Sequence, residues 1–190
     1  MKIGLYFGSF NPIHNGHLII AQAVLELSRL DEVWFIVSPQ NPLKKNKNLL
    51  HEFDRYDMVR LAIEDNGRFK VSDIEFNMPK PSYTIDTLMY LKEKYPDGNF
   101  ELIIGGDNLS ILPKWKNSRK IIQNFGLIVY PRPGTDNTTA IRHQNITYVE
   151  APLLDVSATF IRKCLRENRS IKYLVPQKAA QFIYDRKLYL

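Results

Sequence analysis

Short, unbroken apolar runs take turns along this chain with stretches whose apolar residues step by three and four. The runs are Ile3 to Phe7, Val33 to Val37, Phe69 to Ile74, Phe100 to Ile104, Gly126 to Tyr130 and Ile146 to Val149. Each reads as a strand buried on both faces, because a strand with one wet face would alternate polar with apolar residues. Between and after them lie the helical patterns. His17 to Arg29 carries Leu18, Ala21, Leu25 and Ser28 on one face. Leu49, Phe53, Tyr56, Val59 and Ile63 mark a second helix, and Ile85, Leu88, Leu91 and Tyr95 a third. Ser118 to Asn124 is helical, as are the stretches holding Phe160, Ile161, Cys164 and Leu165 and, after Pro176, Ala179, Phe182, Ile183 and Arg186. Strand and helix in turn predict an α/β fold: a doubly wound, mostly parallel sheet of five or six strands with helices on both faces.

Composition narrows the class. With 190 residues, 44% hydrophobic and 24% charged, the chain suits one domain spanning residues 1–190 and excludes a disordered tail, a collagen-like repeat or a coiled coil. A domain of this length buries roughly 70% of its unfolded surface and stands without staples. Cys164 is the one cysteine, so an internal disulfide and a cysteine-rich zinc cluster are excluded and a reducing cytoplasm is the expected setting. No apolar run approaches the ~18–20 residues that cross a bilayer. Gly8, Asn11, Pro12 and His14 break the first apolar run before it resembles a signal peptide. The net charge of +6 suits an anionic partner, either nucleic acid or a phosphorylated small molecule.

Ligands of doubly wound sheets sit beyond the carboxyl ends of the strands, at a topological switch point. The segments after Phe7, Val37, Ile104 and Tyr130 are therefore the places to look. Residues 39–48 are rich in Pro, Asn and Lys, and 134–145 are polar; both read as loops. After the first strand comes Gly8-Ser9-Phe10-Asn11-Pro12-Ile13-His14-Asn15-Gly16-His17. Glycine lets the backbone turn and approach a ligand. The following helix start offers N–H groups and a positive dipole end to phosphate. His14 and His17, three apart, can point to one side of the first turn and donate to phosphate oxygens, more strongly if protonated. A His-x-x-His pair also serves metal sites, but no third ligand stands nearby, and neither a Gly-x-Gly-x-x-Gly fingerprint nor a phosphate-loop lysine is present.

Gly8 to His17 resembles the His-x-Gly-His signature of the nucleotidyltransferase superfamily, which implies the Rossmann-like form of the sheet. Val156-Ser157-Ala158-Thr159-Phe160-Ile161-Arg162 is similar to the Ser-x-Thr-x-x-Arg motif that closes the ATP site there. On its own this second segment is a capped helix start with a solvated arginine. Physically, Ser157 or Thr159 can cap that helix, and Arg162 is a permanently charged fork for phosphate oxygens. Lys80 to Leu88, Ile103 to Leu109 and Leu112 to Lys116 extend the likeness to bacterial nicotinate-nucleotide adenylyltransferases over nearly the whole chain.

That resemblance implies a reaction in which ATP and nicotinate mononucleotide give deamido-NAD and pyrophosphate. It implies His14, His17 and Arg162 as catalytic groups. It implies an ATP site of Gly8, Ser9, Phe10, His14, Gly16, His17, Gly105, Asp107, Ser157, Thr159 and Arg162. Lys44, Thr84 and Trp115 are then expected at the mononucleotide, with Trp115 stacking on the pyridine and backbone N–H groups near Thr84 and Trp115 taking its carboxylate. Mg²⁺ is expected on the ATP phosphates, with no dedicated protein metal site. A monomer or small homo-oligomer with no nucleic-acid or membrane partner is also expected. Phe7, Ser9, Asn11 and Ala158 depart from the common family residues, which leaves the side chains of Ser9 and Asn11 without an assigned role. The rivals are an adenylyltransferase using nicotinamide mononucleotide or phosphopantetheine and, from another class, a non-catalytic basic module that binds nucleotide or nucleic acid.

Overall fold

The computed structural model describes residues 1–40, 49–132, 141 and 143–190. Among them the strands are β1 (Lys2–Gly8), β2 (Glu32–Val37), β3 (Phe69–Ser72), β4 (Asn99–Gly105), β5 (Leu127–Tyr130) and β6 (Ile146–Tyr148). The helices are α1 (Asn15–Leu27), α2 (Glu52–Ile63), α3 (Thr84–Lys94), α4 (Gly106–Ile111), α5 (Ser118–Asn124), α6 (Ala158–Arg166) and α7 (Gln177–Asp185). One sheet runs β3-β2-β1-β4-β5-β6, and every pair in it is parallel. The fold is therefore the expected Rossmann-like α/β sheet, with six strands.

The period of two along each strand divides the core. Ile3, Leu5, Ile36, Leu102, Ile104, Leu127 and Val129 face α3 and α5, where Ile85, Leu88, Leu91 and Ile121 meet them. Tyr6, Val33, Phe35, Val37, Ile103, Ile128 and Tyr130 face the other side, against Val24 and Leu25 of α1, Met58 and Val59 of α2, Ile161 and Cys164 of α6 and Ile183 of α7. Both faces being covered explains the unbroken apolar runs. Strand order reverses direction at β1, which lies between β2 and β4. That is the switch point, and a crevice opens there at the carboxyl ends.

Local departures from the sequence reading have physical causes. α1 starts at Asn15, two residues earlier than expected, because His17 at the third helical position accepts the His14 N–H through Nδ1 at 3.2 Å. The reciprocal bond of a capping box is usually made by Glu or Gln. α1 also stops at Leu27, since Arg29 turns left-handed at φ 51. β3 ends at Ser72, and Ile74–Asn77 wind into a 3₁₀ turn instead of continuing the strand. α4 had no distinct periodicity to betray it. The buried face of α2 is Arg55, Met58, Val59, Ala62 and Ile63, and Phe53 is 58% exposed. In α6, Ile161, Cys164 and Leu165 are buried while Phe160 is 49% exposed. The 134–145 loop lies mostly outside the described residues.

The α6 orientation is open to a direct test. Ile161→Ala should cost about 2–5 kcal/mol, the range for emptying a buried aliphatic site. Phe160→Ala should stay within about 0.5–1 kcal/mol, as a surface change does. Urea unfolding of both variants decides it, and comparable losses would mean that α6 is rotated from this arrangement.

Candidate active site

The loop leaving β1 is held from several sides. Gly8 ends the strand, where a Cβ would sit 2.8 Å from the Phe10 ring, so nothing larger fits without moving a buried aromatic. Phe10 takes a left-handed φ of 44 and buries its ring, edge-on to Tyr6 and to His17 at centroid distances of 5.9 and 5.1 Å. Its side chain is thus core, and only its backbone can meet a ligand. Asn11 is 2% exposed, and its Oδ1 accepts from the Leu50 N–H at 3.3 Å and the Tyr189 hydroxyl at 2.9 Å. That gives Asn11 a structural task.

His14 is the N-cap of α1 and His17 the third helical residue, and their rings stack at 3.7 Å. Since His17 Nδ1 accepts the His14 N–H, its proton sits on Nε2, leaving a donor on the far side of the ring. Nδ1 of His14 is buried and finds no partner among the described residues. Burial, reinforced by the Arg132 charge, lowers the His14 pKa to about 4. Burial followed by the neighbouring His14 and Arg132 charges puts His17 well below its ordinary value. Both imidazoles are therefore neutral at pH 7 in the unliganded chain, a form in which each still carries one N–H to donate. The start of α1 is also partly used. The Asn15 N–H donates to the Leu174 carbonyl at 2.9 Å, so Gly16 supplies the N–H left over in the first turn. A Cβ on Gly16 would press within 3.0 Å of the His14 ring.

The closing segment behaves as its spacing suggests. Ser157 caps α6, its side chain accepting from the Phe160 N–H at 3.2 Å. Arg162 donates through one Nη to the Asn11 carbonyl at 2.7 Å, and through the other to Thr159 Oγ1 at 3.2 Å. The arginine of the second motif is thereby fastened to the loop of the first, 151 residues away in sequence.

Two cavities adjoin at this point. One, of about 260 Å³, lies under the ends of β1, β4 and β5 and is bordered by Gly8, Ser9, Phe10, His17, Gly105 and Asp107 among others. The other, of about 170 Å³, is bordered by Ser38, Glu75, Ser82, Thr84 and Lys116. Phe7, Gly8, Ser9, Asn108 and Trp115 border both. Thr84 is the first residue of α3, whose opening N–H groups face no helical partner. The Trp115 backbone N–H is already given to the Leu112 carbonyl at 2.9 Å, whereas its indole N–H is buried without a partner among the described residues. The Trp115 backbone N–H is thus already engaged, while its indole N–H is left unspent. Lys44 lies outside the described residues.

Sequence reasoning missed several groups. Arg132 ion-pairs with Asp107 at 3.7 Å and donates to the Tyr130 hydroxyl at 3.2 Å, which lies 3.2 Å from that of Tyr6. Glu75 is 2% exposed and accepts from the Ser82 and Thr87 hydroxyls at 3.0 and 2.7 Å. Burial pushes its carboxyl up, while the hydroxyls of Thr87, Ser38 and Ser82 pull it back. Arg55 is fully buried. Its signal was available: Arg55, Met58, Val59 and Ala62 share one helical face, so a charge stands in an apolar stripe. Among the described residues no group of three or more His, Cys, Asp or Glu gathers to hold a metal, and no helix is long and apolar enough to cross a membrane.

A parallel sheet that brings two motif-bearing helix starts, α1 and α6, to one crevice defines a nucleotidyltransferase, and residues 5–164 match the family model described as cytidylyltransferase-like. The chain is 56% identical over 189 residues to the probable nicotinate-nucleotide adenylyltransferase of Cytophaga hutchinsonii, covering 100% of this chain and 98% of that relative. It is 49% identical to the protein of the same description from Flavobacterium psychrophilum, covering 100% and 99%. Plasmodium falciparum nicotinic acid mononucleotide adenylyltransferase complexed with NaAD shares the fold, with a TM-score of 0.82 at 21% identity over 99% of this chain and 97% of that one. The chain belongs to the nicotinate-nucleotide adenylyltransferase family.

The state of His14 can be read in the pH dependence of stability. An unfolded histidine takes up its proton near pH 6.5, folded His14 only near pH 4. Between those values the unfolded chain binds more protons, so the contribution is whole above about pH 6.5 and fades as pH falls toward 4. His14→Gln should therefore flatten the loss of urea midpoint on acidification relative to the wild type. Equal slopes for the two would show that His14 is not held neutral by burial.

Proposed function

We propose that ATP occupies the cavity under β1, β4 and β5, with nicotinate mononucleotide in the cavity bordered by α3 and Trp115. The chain then transfers the adenylyl group directly from one to the other, giving deamido-NAD and pyrophosphate. The observation that carries this reading is the shared wall at Phe7, Gly8, Ser9, Asn108 and Trp115, which lets two ligands meet over the start of α1.

In this reading an oxygen of the mononucleotide's 5′-phosphate attacks the ATP α-phosphorus in line. The new O–P bond forms as the bond from that phosphorus to the bridging oxygen of the β-phosphate breaks, and pyrophosphate leaves with the electron pair. The nucleophile is already anionic, so no general base is needed. Catalysis is positioning and charge stabilisation. His17 donates Nε2–H, His14 relieves its orphaned nitrogen against a phosphate oxygen, and Gly16 offers a backbone N–H. Arg162 brings a full charge, held at the Asn11 carbonyl so that it does not have to be gathered in during the reaction. Gly105 and Asp107 border the nucleotide end, which α6 reaches through Ala158, between Ser157 and Thr159. Asp107 is the one carboxylate among the described residues that border this cavity, and it is paired with Arg132. That donor set fits Mg²⁺ carried on ATP oxygens better than a cation caged by protein, and the bound ion would spread the phosphate charge. At the other end, the first N–H groups of α3 at Thr84 favour the pyridine carboxylate, and Trp115 offers a ring face and an indole N–H. Lys44 is assigned to the mononucleotide phosphate. The single, buried cysteine fits a reducing cytoplasm.

Pyrophosphate release dependent on nicotinate mononucleotide tests the whole scheme. His17→Ala should slow turnover by roughly 10²–10³-fold, as loss of a preorganised donor does, while still giving a cooperative melt. A near-normal rate would remove His17 from the chemistry. Initial rates with nicotinate and nicotinamide mononucleotide, run side by side, should favour the carboxylate, and parity would remove α3 as its receptor.

A further inference from the structure

Arg55 is fully buried, and among the described residues its guanidinium donates to backbone carbonyls. Nε donates to Leu50 at 2.9 Å, one Nη to Ser9 at 2.6 Å and Ser38 at 2.8 Å, and the other Nη to Pro39 at 3.0 Å. Burying a guanidinium is costly unless its donors are met, and these carbonyls meet them. Their location is informative. Ser9 follows β1, Ser38 and Pro39 follow β2, and Leu50 leads into α2. Ser9 borders both cavities; Ser38 and Gln40 border the one assigned to the mononucleotide. Arg55 itself borders neither.

In a planar trans peptide the carbonyl and the following N–H point in opposite directions. Drawing the Ser9 carbonyl into the core therefore turns the Phe10 N–H outward, on the side of the cavity that Phe10 borders. Drawing in the Pro39 carbonyl turns the Gln40 N–H outward in the same way. Phe10 also sits at φ 44, a region that residues with side chains hold only when their surroundings enforce it. Its buried ring enforces the conformation from one side and the Arg55 grip on the preceding carbonyl from the other.

We propose that Arg55 is a positioning residue for phosphate recognition, aiming the Phe10 and Gln40 N–H groups into the adjoining cavities by holding the carbonyls that precede them. This rests on the reading of the cavities as substrate sites. Lysine does not replace it, because one ammonium with three donors cannot span the same carbonyls.

Calorimetric titration with pyrophosphate and, separately, with adenosine tests this on wild type, Arg55→Lys and Arg55→Met. Folded variants should bind pyrophosphate at least about tenfold more weakly, the worth of a lost hydrogen bond to a charged acceptor, with adenosine affinity changed less than about twofold. Equal pyrophosphate affinity in a folded variant overturns the proposal. So does an equal weakening of both ligands, which would mark Arg55 as merely structural. If neither variant folds, the amide resonances of the wild type decide. Pyrophosphate should move the Phe10 N–H downfield, and a silent Phe10 amide overturns the proposal. A wild type that binds no pyrophosphate instead overturns the reading of the cavities themselves.

Discussion

Arg162 donates to the carbonyl of Asn11, and the two motif segments of the candidate active site meet through that bond. Asn11 is a hub for more than Arg162. Its side chain accepts from Leu50, just before α2, and from Tyr189, beyond α7. The turn after β1 is thus tied to three distant parts of the chain. Loops without such ties wander, and a guanidinium on an exposed helix start samples many rotamers. Here the turn and the arginine restrain one another before any ligand arrives. That kind of preorganisation is what phosphoryl transfer needs, since the protein has little covalent chemistry to perform.

Around this hub, charge and neutrality are divided between residue types. Arg132 and Arg162 carry permanent charge, and both lie partly open to solvent. The positions closest to the start of α1, buried at His14 and half-buried at His17, go to imidazoles kept neutral by desolvation and by the nearby Arg132 charge. Neutral donors cost less to desolvate than cations, so they can sit deeper, with their protons already aimed. His17 shows the economy of the arrangement: one ring nitrogen caps the helix and so fixes the tautomer of the other.

The strands were legible in the sequence because burial on both faces leaves an unbroken apolar run, a pattern few other environments produce. The helices with one wet face were legible in their existence and less so in their orientation. On α2, Val59 and Ile63 of the expected stripe are buried, but Arg55 and Met58 complete that face rather than Phe53 and Tyr56. His14, His17, Ser157, Thr159 and Arg162 were legible because helix starts need specific residue types at specific spacings. Asn11 and Tyr189 were not, and Arg55 showed only as a charge in an apolar stripe with no sign of what it holds, for a common reason. Their partners are backbone carbonyls or groups on remote segments, and a carbonyl has no letter in a sequence. α4 was hidden inside a glycine-bearing motif that read as a strand end.

Glu75 sharpens the division of labour at the second cavity. A buried carboxyl beside the start of α3 would compete for that helix's free N–H groups with any carboxylate brought by a ligand. The geometry removes the conflict. Glu75 spends its oxygens on the hydroxyls of Ser82 and Thr87, one before the helix and one on its first turn. The hydroxyl bonds fasten the approach to α3, and the backbone N–H groups at Thr84 stay unclaimed. Burial raises the pKa of this carboxyl, and the hydroxyl bonds that hold it oppose the rise. On the proposed assignment, the acid that fixes the receptor for the pyridine carboxylate is held in a way that keeps it from filling that receptor itself.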